Sequence, residues 1–262
     1  MLQGVDSRVV LVTGGAVRIG RAIVEALAAA GAGVVVHAHT SQTAADTLVA
    51  GIRGRGGRAW RVSGTLETPE GVTTVFQDAL AAAGRIDGLV NNAAIFARQS
   101  LALSTAAAFD MFWRVNALAP MLLTRLLAEQ ITTAHPDKTA PVARVVNLLD
   151  QRIAHPCAGC LPYLVSKQAL AAFTTAAALE LAPRITVNAV APGAALTPVA
   201  AAAANHGPRN PPCVPFLPLT HVPSSTINSL TKPLRPGSAM ELITKKIAKK
   251  PSAGTRRASP ES

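Results

Sequence analysis

Between Val9 and Ala38 the chain passes from a short apolar run (VVLV) through the glycine-bearing turn TGGAVRIG, Thr13 to Gly20. It then enters an Ala- and Leu-rich stretch, Arg21 to Ala30, and leaves in a second apolar run, GVVVHA. Strand, tight turn, helix and strand make a β-α-β unit, whose crossover lays the two strands side by side and parallel. A parallel sheet must be covered on both faces, so further strands have to alternate with helices. The turn also aims backbone N–H groups and a helix N-terminus at the space above the first strand, a setting that suits a phosphate. Its spacing, Gly14 and Gly20 with five residues between and Gly15 beside the first, departs from the strict G-x-G-x-x-G pattern. Taken alone, the turn is weak support for a nucleotide.

The alternation continues downstream. A helix is expected from about residue 42, followed by a glycine-rich turn (Gly54 to Gly57), a strand near Ala59 to Val62 and a helix from Pro69 to about Ala82. Ile86 to Val90 read as a fourth strand ending at Asn91-Asn92-Ala93, where amides can hold a loop or bind a ligand without adding charge. At 262 residues, 49% hydrophobic and 15% charged, the chain suffices for one α/β domain with a substantial core. No apolar run approaches the roughly 18 residues that span a bilayer, and the N-terminus lacks a signal-peptide pattern. The expectation is a soluble, cytoplasmic protein.

Arg53, Arg55, Arg58 and Arg61 are spread over a helix end, a turn and a strand with only Trp60 among them, which describes a solvated face better than a nucleic-acid surface. Cys157 and Cys160 have the spacing of a redox pair or half a zinc site. The remaining ligands of a zinc site are missing, and Cys213 lies in a Pro-rich stretch, so no metal is expected.

The second strand ends in His37-Ala38-His39-Thr40-Ser41, without an acid. An acid at this strand end binds the ribose hydroxyls of NAD, whereas cationic and hydroxyl groups accommodate the 2′-phosphate of NADP. Arg18 in the preceding turn, with His39, Thr40 and Ser41, therefore favours NADPH; His37 reads as a hydrogen-bonded histidine at a strand end.

Chemistry is expected along Val145 to Lys167. Val145 to Leu149 form a nearly continuous apolar run, as in a strand buried on both faces, with Asp150 at its carboxyl end. Ligands of open parallel sheets bind outside those ends. From Tyr163 the sequence turns helical, and a spacing of four puts Tyr163 and Lys167 on one face. A free phenol has a pKa of about 10, so a neighbouring cation such as Lys167 is expected to lower it.

TGGAVRIG, Asn91-Asn92-Ala93, Asn116 in the helix MFWRVNALAP, the Tyr163/Lys167 pair and Val190-Ala191-Pro192-Gly193 occur in the order and spacing of the short-chain dehydrogenase/reductase family, which the chain resembles over roughly residues 6–198. The resemblance implies a Rossmann-like doubly wound parallel sheet. It also implies cofactor contacts from Thr13, Gly14, Arg18, Ile19, Gly20, His39, Thr40, Ser41, Asn92, Ala93, Tyr163, Lys167, Pro192 and Gly193. Asn116, which in the family ties the lysine to a water relay, joins Asp150, Tyr163 and Lys167 as a catalytic residue.

The family usually carries serine where Asp150 stands. With the Arg-Ile-Gly end of the glycine turn, His39, Ser41 and Phe96, that aspartate looks like the pteridine reductase branch. Reduction of a pterin, dihydropterin or dihydrofolate by NADPH is the activity implied, with Phe96 stacked on the substrate and Arg18, Asp150 and Tyr163 also touching it. Thr65 stands where the family has an acid near the adenine, and Ala94 where it commonly has Gly. A generic carbonyl or alcohol dehydrogenase, and a cofactor-binding protein without turnover, remain as alternatives.

Beyond Pro198 the resemblance stops. Residues 201–262 carry nine Lys/Arg and two acids, +7 of the net +11, in a Pro- and Ser-rich context unlike the helix and final strand of the family. Such a composition buries too little apolar surface to order itself, so the division expected is a reductase domain at 1–200 and an atypical, poorly ordered tail at 201–262. A reading-frame shift or lineage-specific divergence of the C-terminus, a basic arm for nucleic acid or an acidic surface, and an amphipathic helix over Ala239 to Lys250 that touches an anionic membrane are three open accounts of it. In the family the missing strand helps build a tetramer, so a homo-oligomer is the expectation.

Overall fold

The computed structural model describes residues 5–134 and 142–193. Six strands, β1 (Val9–Val12), β2 (Gly33–Ala38), β3 (Ala59–Ser63), β4 (Gly88–Asn91), β5 (Ala143–Leu148) and β6 (Ile185–Val190), form one sheet in the order β3-β2-β1-β4-β5-β6. Every neighbouring pair is parallel, in registers such as Leu11 with Val35 and Val90 with Val146. The helices are α1 (Arg18–Ala29), α2 (Gln42–Arg53), α3 (Pro69–Ala83), α4 (Ala106–Trp113), α5 (Ala119–Ala134) and α6 (Leu161–Glu180). The doubly wound, Rossmann-like sheet expected from the sequence is what the chain forms.

Strand β1 shows why its sequence is apolar throughout. Alternate side chains point to opposite faces, and both faces are covered. Val9 and Leu11 join Phe76 of α3, Leu123 and Leu127 of α5 and Ala177 of α6 in one core. Val10 and Val12 join Ile23 and Val24 of α1 and Leu48 and Ile52 of α2 in the other. Each fully buried Leu or Ile contributes about 1.5–3 kcal/mol of transfer free energy, so the two cores hold the sheet edge that carries the site.

Boundaries differ from the sequence expectation where side chains take over backbone partners. Ile86 precedes β4, because its N–H and carbonyl bond the side chain of Gln130 instead of a strand. Helix α6 begins at Leu161, two residues before Tyr163, with Pro162 in the first turn, where a missing N–H has no partner to lose. The helix expected around Asn116 is interrupted: α4 passes into five residues of π-helix, Arg114–Leu118, before α5 resumes. Among the described residues no helix is long and apolar enough to cross a membrane. The domain boundary near residue 200, the tail at 201–262 with its helix, and Cys213 lie outside the described residues.

Candidate active site

All six strands end on one edge, and the chain winds away from β1 in both directions, to β2 on one side and β4 on the other. The crevice above the β1/β4 switch point is where such sheets take ligands. Here the turn after β1 and the end of β4 are stitched together. Thr13 Oγ1 accepts the N–H groups of Asn92 and Ala93 at 3.0 Å each, and Asn92 Nδ2 donates to the Thr13 and Gly14 carbonyls at 2.9 and 3.0 Å. Gly14 sits at φ 58°, and a Cβ on Gly20 would drive into the Gly14 carbonyl, so both positions require glycine. Asn92 and Thr13 thus hold the turn, while Arg18 and Ile19 open α1 above it. Asn91 faces the other way, donating to Asn147 Oδ1 at 2.8 Å in the core.

At the end of β2, His37 is buried and bonded at both nitrogens. Nδ1 lies 3.2 Å from the Gly14 nitrogen and Nε2 lies 3.1 Å from the Gly64 carbonyl. A backbone N–H only donates and a carbonyl only accepts, so the ring is the neutral Nε2–H tautomer. Burial pushes its pKa down, against the Gly64 hydrogen bond. His39 and Thr40 are exposed beyond it and Ser41 is half-buried, its side chain not used to cap α2. No acid stands at this strand end. Cationic and hydroxyl groups over a glycine cradle fit a phosphorylated ribose and a pyrophosphate, which is the part of a dinucleotide these residues would hold.

On the far side of the switch point, Asp150 follows β5 and Tyr163 rises from α6. Tyr163 Oη donates to Asp150 Oδ2 at 2.7 Å. The same carboxylate oxygen receives Arg152 Nη1 at 2.9 Å, and Asp150 Oδ1 caps the short 3₁₀ turn through the Arg152 N–H at 2.8 Å. Phe96, 51% exposed, meets the Tyr163 ring edge-on with centroids 4.9 Å apart, and the Arg152 guanidinium lies 5.4 Å from the Phe96 centroid. Pro192 accepts the Gln151 N–H, and Gly193 passes close to the Gln151 side chain, which ties the loop after β6 to the same turn.

Asn116 sits in the π-helical segment, fully buried. Its Oδ1 accepts the Ile95 N–H at 2.9 Å, while its Nδ2 donates to the Ile95 carbonyl at 3.0 Å and to Ser166 Oγ at 3.1 Å. It clamps the Phe96 loop to α6, and its hydrogen bonds go to Ile95 and Ser166 and not to Lys167. Two participants were not singled out from the sequence. Arg152 could have been suspected from its place two residues after Asp150, whereas nothing marked Ser166.

The electrostatics correct one expectation. Lys167 was expected to lower the Tyr163 pKa, but its Nζ donates to the Leu148 carbonyl at 2.7 Å, and burial lowers its own pKa to about 8, opposed by Asp150. The phenol is pushed up instead, by burial first and then by the hydrogen bond and charge of Asp150; the cation opposing that rise is Arg152. Tyr163 is therefore held protonated, with its proton directed at a carboxylate.

A glycine turn at the switch point of a doubly wound sheet, opposite a Tyr/Lys helix, is the plan of the short-chain dehydrogenases. The family model for short chain dehydrogenase matches residues 8–207, and the chain belongs to that family. Among its relatives, pteridine reductase 1 of Leishmania tarentolae is 35% identical over 224 residues, 72% of this chain and 77% of the relative. Cyclopentanol dehydrogenase of Comamonas testosteroni is 32% identical, covering 74% and 76%. Of solved structures, FolM alternative dihydrofolate reductase 1 from Brucella canis, complexed with NADP, is 36% identical with a TM-score of 0.68, covering 74% of this chain and 76% of that one.

Proposed function

We propose that this protein is an NADPH-dependent reductase of a flat, nitrogen-rich ring, a pterin, dihydropterin or dihydrofolate. The observation that carries the reading is the 2.7 Å hydrogen bond from Tyr163 Oη to Asp150, a carboxylate where the wider family usually has serine. When bound, NADPH supplies the hydride. Thr13, Gly14, Arg18, Ile19, Gly20, His39, Thr40, Ser41, Asn92 and Ala93 would hold it from the turn side, and Tyr163, Lys167, Pro192 and Gly193 from the opposite side.

The remaining chemistry is proton transfer by this chain. Tyr163, kept protonated by its surroundings, donates to the reduced ring, and Asp150 orients the hydroxyl and takes part in its reprotonation. The Arg152 guanidinium, the cation that opposes the rise in the Tyr163 pKa, offsets the charge left on the phenolate, and the Lys167 ammonium would hold the cofactor. Phe96 offers a half-exposed aromatic face for the substrate ring, with Arg152 beside it, and Arg18 would be a further substrate contact. Asn116 keeps the Phe96 loop in place. The relatedness to pteridine reductase 1 and to FolM supports the ring class, and the relatedness to cyclopentanol dehydrogenase supports the second reading, a ketone or alcohol substrate.

A panel of dihydropterins, dihydrofolate and simple ketones, followed by NADPH oxidation, separates the two. Asp150→Ser, which restores the residue usual in the family, is expected to lower pterin turnover by tenfold or more while any ketone turnover persists. Unchanged pterin turnover in Asp150→Ser would remove the carboxylate from the mechanism.

A further inference from the structure

Between the 3₁₀ turn and α6 the chain carries Cys157-Ala158-Gly159-Cys160, and the fold brings the two thiols together. Their Sγ atoms are 3.6 Å apart, and Cys160 Sγ also lies 3.5 Å from the Cys157 carbonyl. Gly159, at φ 78°, makes the turn that returns the chain on itself, a conformation that strains other residues. Cys157 is half-buried, and Cys160 is buried at the N-cap of α6, three residues before Tyr163. Among the described residues no cluster of His, Cys, Asp or Glu could hold a metal ion, so the pair has no ligand partners there.

We propose that Cys157 and Cys160 are a reversible redox site, a dithiol that a hydroperoxide converts to a disulfide beside the catalytic tyrosine. The Cys157 sulfur, the more accessible one, attacks the peroxide O–O bond and takes one oxygen as a sulfenic acid, while the other oxygen leaves as the alcohol, or as water from hydrogen peroxide. The Cys160 sulfur then attacks the Cys157 sulfur, and the sulfenyl hydroxyl departs as water with the Cys160 proton. Two thiols lose two electrons, and one peroxide bond gains them.

The chemistry of each sulfur suits its part. Burial, then the hydrogen bond its S–H gives Cys157, pushes the Cys160 thiol up to about 11, which keeps it as the protonated, resolving partner. Cys157, half-buried where Cys160 is buried, is the sulfur a peroxide can reach. A disulfide bond of about 2.05 Å requires the sulfurs to close by roughly 1.5 Å.

That turn is not isolated from the site. The Gln99 N–H donates to the Gly159 carbonyl at 2.8 Å, and the Leu161 N–H donates to the Gln99 carbonyl at 3.2 Å. The cysteine turn therefore anchors the loop that carries Phe96. Closing a covalent ring across residues 157–160 removes the freedom of the turn to open, and the Phe96 loop is held with it.

The test uses the full chain with Cys213→Ser, which leaves only this pair of thiols. One equivalent of hydrogen peroxide should abolish both titratable thiols and lower the intact mass by about 2 Da, the two hydrogens lost in disulfide formation, and dithiothreitol should reverse both. In Cys160→Ser the intermediate should accumulate as a sulfenic acid captured by dimedone. Amide exchange at Gln99 and Leu161 should slow by about threefold or more in the oxidised protein. Two thiols that survive peroxide, capture at Cys160 in Cys157→Ser as fast as at Cys157, or unchanged exchange at Gln99 and Leu161 would each overturn the proposal. None of these readouts needs turnover, so they stand apart from the reductase assay.

Discussion

Tyr163 and Lys167 face the same crevice, but they are not directly bonded. Tyr163 directs its proton to Asp150, and Lys167 spends a hydrogen bond on the Leu148 carbonyl. Tyr163→Phe removes the hydroxyl and keeps the ring that packs edge-on against Phe96. Turnover should fall by roughly 10²–10⁴, the usual worth of positioned acid–base catalysis, while NADPH titration shows binding retained. Lys167 predicts a pH limb. Its pKa is lowered to about 8, so the ammonium is present below that value and lost above it. kcat/KM should be level on this limb below about pH 8 and decline as pH rises through it. The decline should vanish in Lys167→Arg, whose guanidinium stays charged; a limb that persists there belongs to another group. The shared face of Tyr163 and Lys167 follows from their spacing alone. Which carbonyl the lysine meets depends on where β5 ends, and that end is set by pairing with β6.

At the scale of elements, the glycine turn is shaped by a strand that is not its own. His37, on β2, receives the Gly14 N–H and donates to the Gly64 carbonyl beyond β3. His37→Leu would keep the volume and leave the Gly14 N–H without its partner, at about 1–3 kcal/mol, while the Gly64 carbonyl keeps His39. Urea unfolding at pH 8 should show a loss of roughly 1–3 kcal/mol on that basis, together with weaker NADPH binding through the loosened turn. A smaller loss would mean that water replaces the ring. The strand, turn and helix were legible because their apolar period and glycines are local signals. The β2 histidine as a brace was not, because its partners lie 23 and 27 residues away. The packing of Arg152 over Phe96 was illegible for a similar reason, because that ring comes from the loop after β4.

Across the whole molecule, the alternation of strand and helix was readable from apolar runs and turns, while the doubly wound winding was implied by the family resemblance and the strand order came only with the structure. The neutral His37 locked within that sheet makes stability depend on acid. Above about pH 6.5 folded and unfolded chains both carry it uncharged, and its contribution is complete. As pH falls below that value the unfolded chain binds a proton that the folded one, with its lowered pKa, refuses, so stability declines toward the folded pKa. The slope from this one group is at most about 1.4 kcal/mol per pH unit. Chemical denaturation from pH 8 to 5 should show it, and His37→Leu should remove it. The π-helical segment at Arg114–Leu118 also acts at this scale. A π turn accommodates one residue more than an α turn, and each residue of a helix advances it by about 100°. The segment therefore sets the angular phase between α4 and α5, with Leu123, Leu127 and Ile131 turned into the core on one side of it and Phe112 on the other. Substitutions there change a side chain. Deletion of a single residue would restore a continuous α-helix and rotate one half against the other, so this stretch tolerates new letters far better than a changed length.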